Sequence, residues 1–263
     1  MELKFVKMEG IGNDFILIDD RDEFIEKTIS YPELACRLCD RHFGIGADGL
    51  ILIEKDDNFD FLMRYFNADG KEGTMCGNGG RCSVAYAANN GIIKGTETNF
   101  NAIDGLHSAI LVNNKYVSLK MSDVSEITET NNSFYVNTGS PHFIQFTSNI
   151  KDINVYQSGK EIRNQTKHQP SGINVNFVEI ESDKIKIRTY ERGVENETLA
   201  CGTGSVASAV ATKINANDGN YVVNVETLGG LLVVKFTKYE KMFKNIYLNG
   251  PANYVYSGKI ELA

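Results

Sequence analysis

The 263-residue chain is predicted to be an α+β protein built from two duplicated halves, each winding short strands around one buried helix. Three observations carry that expectation. A short motif around a cysteine occurs twice, as Met75-Cys76-Gly77-Asn78-Gly79 and as Ala200-Cys201-Gly202-Thr203-Gly204. Each copy opens a run of small and apolar residues long enough for a helix that is buried on most faces. The rest of the chain is rich in short runs of strand character.

The duplication extends beyond the cysteines. Glu72 and Glu197 each stand four residues before a cysteine, and Arg64 and Arg188, in Met63-Arg64-Tyr65-Phe66 and Ile187-Arg188-Thr189-Tyr190, precede them by 12 and 13 positions. Upstream, Gly12-Asn13-Asp14-Phe15-Ile16 has a counterpart in Ser140-Pro141-His142-Phe143-Ile144. A repeat this long is a domain rather than a solenoid unit, so one active site in the cleft between two copies of one fold is expected.

Taken in order, runs 3–8 and 15–19 have strand patterns, and Ser30-Tyr31-Pro32-Glu33 reads as a capping box that starts a helix over 32–42. Runs 50–54 and 61–66 are strands. The first buried helix spans 77–89, with Ala85, Ala87 and Ala88, and a two-stranded unit over 108–121 turns at Asn113-Asn114. Residues 124–132 are polar and aperiodic, which marks the boundary. Strands 175–181 and 185–190 flank the turn Ser182-Asp183-Lys184, the second buried helix covers 202–214, and 221–236 turns at Gly229-Gly230. After Gly250-Pro251, a strand over 253–262 is expected to cross back. The domains are therefore 1–123 with 251–263, and 124–250.

Composition excludes several classes of function. Hydrophobic residues make up 42% and charged residues 23%, as in ordinary globular proteins, and the net charge of −7 argues against nucleic acid or an anionic membrane as partner. No apolar signal region follows Met1 and no run approaches a membrane span, so a cytoplasmic chain is expected. Five cysteines, an odd number, fit a reducing compartment. Cys36-Arg37-Leu38-Cys39 lies inside a helical pattern without a second pair, and Cys82 reads as core. His42, His107 and His168 show no ligand spacing, and no metal is implied.

Cys76 and Cys201 are the candidate reactive groups. A thiol at the first turn of a helix sits among unpaired N–H groups and the positive dipole end, which favours the thiolate. The glycines that follow allow close approach, so the same N–H groups suit a substrate carboxylate. The alternatives are a structural disulfide, two small core residues, or a phosphate loop, although the spacing is neither Walker nor Rossmann. For Asn13, Asn67 and Asn174, turn or cap chemistry is the competing reading, and for Glu191 and Arg192, a surface ion pair.

Met8-Glu9-Gly10-x-Gly12-Asn13-Asp14-Phe15, Phe66-Asn67-Ala68-Asp69-Gly70, Cys76-Gly77-Asn78-Gly79-Gly80-Arg81-Cys82, Tyr190-Glu191-Arg192-Gly193 and Thr198-Leu199-Ala200-Cys201-Gly202-Thr203-Gly204 together resemble the diaminopimelate epimerases over nearly the whole chain. The resemblance implies two pseudo-symmetric domains, each a β-barrel-like sheet around a central helix. It also implies a cofactor-free two-base reaction between LL- and meso-2,6-diaminopimelate, in lysine and peptidoglycan precursor synthesis. By position, Cys76 and Cys201 become the acid/base pair, supported by His142 and Glu191. The backbone at Gly77, Asn78, Gly202 and Thr203 would hold the reacting carboxylate, while Asn13, Asn67, Ser140, Asn174, Glu191 and Arg192 recognise the rest of the substrate. A homodimer with Tyr256 at its interface is implied as well.

Two positions depart from the family pattern. Ser140 stands where many members have Asn in Gly-Asn-Pro-His, and Gly49 stands where some have a substrate-contacting Gln. The rival functions are a related cofactor-independent racemase acting on proline, hydroxyproline or a basic amino acid, and a non-catalytic amino-acid-binding protein, which would not need two thiols.

Overall fold

A computed structural model describes residues 2–131 and 133–262, so Met1, Ala263 and Asn132, the last residue of the expected boundary segment, lie outside the described residues. The chain divides into two compact units, Met1–Leu119 with Gly250–Ala263, and Lys120–Asn249. Both follow one order of strands, and each is built around one buried helix.

In the first unit, strand Glu2–Gly10 pairs antiparallel with both Asn253–Glu261 and Asn13–Asp19. Asn13–Asp19 runs parallel to Gly49–Glu54, a geometry that requires a crossover, and helix α1 (Tyr31–Cys39) supplies it. Gly49–Glu54 pairs antiparallel with Phe61–Asn67, which runs parallel to Glu97–Ala102 after a crossover through helix α2 (Gly77–Asn89). The hairpin partner Gly105–Asn113 and then Tyr116–Lys120 follow.

The second unit repeats these steps. Ser133–Asn137 and Pro141–Phe146 pair antiparallel, and the latter runs parallel to Asn174–Ile180 across helix α3 (Val155–Arg163). Ile185–Glu191 then pairs antiparallel with it and runs parallel to Gly219–Thr227 across helix α4 (Gly202–Ala211). Gly230–Tyr239 and Met242–Pro251 complete the order.

Burial explains why α2 and α4 are central. Every residue of α2 from Gly77 to Ala87 is buried, and α4 is buried except at Thr203. Strands pack on several sides of each helix, for α2 those at 2–10, 13–19, 49–54, 61–67 and 105–113. By contrast α1 is amphipathic and lies on the outer face, where Leu34, Ala35 and Leu38 pack with Phe5, Ile16, Leu50 and Phe66. On the second unit, Val155 of α3 packs with Phe143, Val175, Phe177 and Tyr190.

The duplicated arginines and glutamates form the same ion pair in both units. Arg64 grips Glu72 through Nε and Nη2 at 2.7 and 2.9 Å, and Arg188 grips Glu197 at 2.6 and 2.8 Å. Each fork ties a strand to the segment leading into a thiol helix.

Some local expectations are corrected. Ser30 makes no side-chain cap bond, and α1 ends at Cys39 rather than residue 42, because the Asp40 carboxylate accepts the N–H groups of His42 and Phe43, both at 2.7 Å. Helix α4 ends at Ala211 rather than 214, in a frayed turn where Thr212 Oγ1 donates to the Ala209 carbonyl at 2.7 Å. Within the polar segment 124–132, Ile127–Thr130 is a strand on Ser133–Asn137, held by backbone pairing, with Ile127 half-buried and Thr128, Glu129 and Thr130 exposed. Among the described residues no helix is long and apolar enough to cross a membrane.

Candidate active site

Cys76 and Cys201 occupy equivalent positions, each as the N-cap of its unit's buried helix. Both have extended backbone, and neither makes a side-chain cap bond. Their carbonyls accept the first helical hydrogen bonds, from Gly80 N at 2.7 Å and Ser205 N at 2.9 Å. The N–H groups of Gly77, Asn78 and Gly79, and of Gly202, Thr203 and Gly204, therefore have no partner from within the helix, and each thiol lies beside such a set. Burial pushes the Cys39 and Cys82 thiols up to about 12.

Around Cys76 a chain of oriented amides is fixed by charge. Asn13 Oδ1 lies 3.7 Å from Cys76 Sγ and accepts from Asn78 Nδ2 at 3.2 Å. Asn78 Oδ1 in turn accepts from the fully buried Arg81 at 2.9 Å, so this side chain is turned inward and only the Asn78 backbone is left for a ligand. On the other side Asn13 Nδ2 donates to Asp48 Oδ2 at 2.7 Å, and Arg41 bridges Asp48 and Asp14 at 2.7 and 2.8 Å. Arg81, Asp48 and Arg41 were not among the expected site residues.

Asp14 anchors this cluster. Burial opposes its charge, but hydrogen bonds from Arg41 and Lys7, with their charges, prevail and lower the carboxyl to about 2. A depressed carboxyl contributes stability that is present above its unfolded value near 3.8 and is lost as pH falls toward 2. Asp14→Asn is therefore expected to lower the urea midpoint at pH 7, with the gap from wild type closing between about pH 4 and 2. A gap independent of pH would show that the ion pairs do not carry the effect.

Asn67 is exposed. It accepts from the Tyr65 hydroxyl at 2.8 Å and donates to the Lys71 carbonyl at 3.2 Å. The Tyr65 ring also accounts for Gly49, because a Cβ there would meet Tyr65 Cε2 at 2.5 Å and the Phe66 carbonyl at 2.7 Å. The space for a side chain at position 49 is filled by the phenol that holds Asn67.

In the second unit His142 is fully buried, and burial, followed by the charge of Arg192, lowers its pKa to about 3. The imidazole is neutral at physiological pH. Its Nε2 lies 3.0 Å from both Ser140 Oγ and Thr203 Oγ1, and Thr203 Oγ1 lies 3.5 Å from Cys201 Sγ. Ser140 is thus joined to the imidazole and also accepts from Asn174 Nδ2 at 3.0 Å. Asn174 Oδ1 accepts from the Arg192 backbone N–H at 2.9 Å, and the Arg192 guanidinium donates to the Ser171 carbonyl at 3.2 Å. Glu191 accepts from the Thr198 hydroxyl at 3.0 Å.

Sequence reasoning missed Asn176, which is buried and reaches His142 Nδ1 at 3.0 Å. The signal was present: Asn174 and Asn176 alternate with Val175 and Phe177, so both amides share one face of a buried strand. Gly204 is required by the same group, since a Cβ there would collide with Asn176 Oδ1 and sit 3.3 Å from Cys201 Sγ.

Known proteins resemble the chain over its whole length. The family model described as diaminopimelate epimerase matches twice, over residues 5–126 and 134–255. The diaminopimelate epimerase of Flavobacterium psychrophilum is 48% identical, covering 98% of this chain and 100% of that protein, and that of Aquifex aeolicus is 38% identical, covering 98% of each. Among solved structures, a Bacillus anthracis phenazine biosynthesis protein of the PhzF family superimposes with TM-score 0.79 at 14% identity, covering 100% of both chains. A hydroxyproline epimerase from Agrobacterium vitis does so with TM-score 0.71 at 12% identity, covering 98% of this chain and 92% of its own. At such identities the likeness is one of fold.

Proposed function

Because the chain belongs to the diaminopimelate epimerase family and is an amino-acid epimerase, we propose that it interconverts LL- and meso-2,6-diaminopimelate by a two-base reaction with Cys76 and Cys201 as the acid/base pair. What supports the reading is that both cysteines cap the buried helix of a repeated unit, each with three helix N–H groups beside it. Inverting a stereocentre through its α-proton needs a base on one face and an acid on the other. A thiolate and a thiol fill both roles and exchange them after each turnover, so their titration belongs to the pair. The reacting carboxylate gains charge as the proton leaves, and N–H donors at Gly77, Asn78, Gly202 and Thr203 stabilise it there.

In the same reading Asn13, Asn67, Ser140, Asn174, Glu191 and Arg192 hold the remainder of the substrate, with Arg192 on the distal carboxylate. His142 supports catalysis as a neutral group, because its low pKa rules out an imidazolium at working pH. The protein acts in the cytoplasm as a homodimer with Tyr256 at the interface. That residue is exposed, with its ring edge-on to Phe5 at 5.8 Å. A monomeric mass by sedimentation at full activity would oppose the dimer.

The test is chiral analysis of a panel of amino acids, LL-diaminopimelate, proline, hydroxyproline and lysine among them, incubated with the purified protein in D2O. Inversion of diaminopimelate with deuterium at Cα is expected. Inversion of proline or hydroxyproline instead would give the related racemase, and no exchange on any substrate would leave a binding protein.

A further inference from the structure

Asn176 is fully buried, and three of its four hydrogen-bonding positions are engaged. Its Nδ2 donates to the Phe143 carbonyl at 3.3 Å, and its Oδ1 accepts from Thr189 Oγ1 at 2.9 Å. A carbonyl oxygen can only accept, so the amide nitrogen must face Phe143. The same nitrogen faces His142 Nδ1 at 3.0 Å, which makes Nδ1 an acceptor. A neutral imidazole with an acceptor Nδ1 carries its proton on Nε2.

The position of that proton settles the hydroxyls beyond it. Nε2–H faces Ser140 Oγ and Thr203 Oγ1, so Thr203 cannot donate to the ring. Ser140 Oγ already lies within reach of two donors, Asn174 Nδ2 at 3.0 Å and the imidazole at 3.0 Å, which occupy its two lone pairs. Thr203 Oγ1 also lies 3.4 Å from Ser140 Oγ, which with both lone pairs engaged can only donate there, so the Thr203 proton is left to Cys201 Sγ at 3.5 Å. Thr203 is itself held in place, since Thr138 Oγ1 donates to its carbonyl at 3.0 Å.

We propose that Asn176 is a positioning residue for the reaction: by holding His142 as the Nε2–H tautomer it commits the Thr203 hydroxyl to donate to Cys201 Sγ, which favours the thiolate of that cysteine. The proposal rests on the reading of Cys201 as an acid/base group. A hydrogen bond to a charged sulfur stabilises the ionised form, whereas the opposite tautomer would draw the Thr203 proton to Nε2 and withdraw it from the sulfur. Burial, and after it the charge of Arg192, keeps the imidazole neutral, and Glu191, two strands away, is hydrogen-bonded by Thr198. Ser140, Asn174, Asn176, Thr138 and Thr189 are polar and uncharged, so within the network the tautomer is selected by hydrogen bonding.

Two measurements that need no turnover test the relay. In protein labelled with 15N-histidine, His142 is expected to show the Nε2–H tautomer in wild type and to lose it in Asn176→Leu. Asn176→Asp keeps the shape but offers an acceptor, and is expected to move the proton to Nδ1; it serves if the leucine variant does not fold. The second measurement is the pH midpoint for alkylation of Cys201 by iodoacetamide, read on its peptide in a Cys76→Ala background. Thr203→Val and Asn176→Leu are each expected to raise that midpoint by about 1–2 pH units, Thr203→Ser to leave it in place, and the double variant to add nothing further. An unchanged tautomer in both Asn176 variants, or a Cys201 midpoint indifferent to Thr203→Val, would overturn the proposal. Failure of the acid/base assignment would show separately, as turnover by Cys201→Ala.

Discussion

Cys76→Ala and Cys201→Ala are each expected to abolish epimerisation, with a loss of at least about 10²–10⁴-fold, while leaving the fold intact. Each change removes one proton-transfer group and only a small side chain, and neither thiol serves as a side-chain cap of its helix. A sharper outcome follows in D2O. A variant with one thiol can still remove and return a proton on a single face, so each is expected to exchange the α-hydrogen of one stereoisomer with retention. The stereoisomer should differ between the two variants. Wild-type turnover by either, or exchange of the same isomer by both, would sink the two-base assignment.

Arg192→Lys and Arg192→Met are expected to shrink the preference for diaminopimelate over lysine, which lacks the second carboxylate. The lysine variant keeps the charge but loses the planar fork, so both KM and kcat should suffer. The methionine variant leaves the distal carboxylate without a cation, and a loss of about 10²-fold or more in kcat/KM is expected. The backbone N–H of Arg192 is fixed on Asn174, and among the described residues its guanidinium donates to the Ser171 carbonyl, which leaves further donors for a ligand. A preference unchanged in both variants would place Arg192 outside the substrate site and reopen the choice among racemases.

Some elements could be read without coordinates because their signals are local. A helix apolar on nearly all faces announces its own burial, so α2 and α4 were legible, as were their starts at the glycine after each cysteine. Helix α3 was not, because Val155–Arg163 fully buries only Val155 and Gly159, with Ile162 half-buried, and carries a glycine at mid-helix. Strand Ile127–Thr130 was likewise hidden, since three of its four residues are exposed and backbone pairing leaves no trace in residue type.

The sequence by itself determined the duplication, the two-helix plan and the two Gly-flanked thiols, because each is a matter of composition at fixed spacing along the chain. Only the tertiary structure decided how the polar groups around each thiol are oriented. Asp48 reaches Asn13 across 35 positions, and Asn176 reaches His142 across 34, in both cases because parallel strand pairing brings distant segments into register. Parallel pairing needs a crossover connection, and within each unit that crossover separates in sequence the polar groups that its paired strands bring together. The direction of each hydrogen bond, and with it the tautomer of His142, follows from which acceptors surround a buried amide, and that is a property of the packed fold alone.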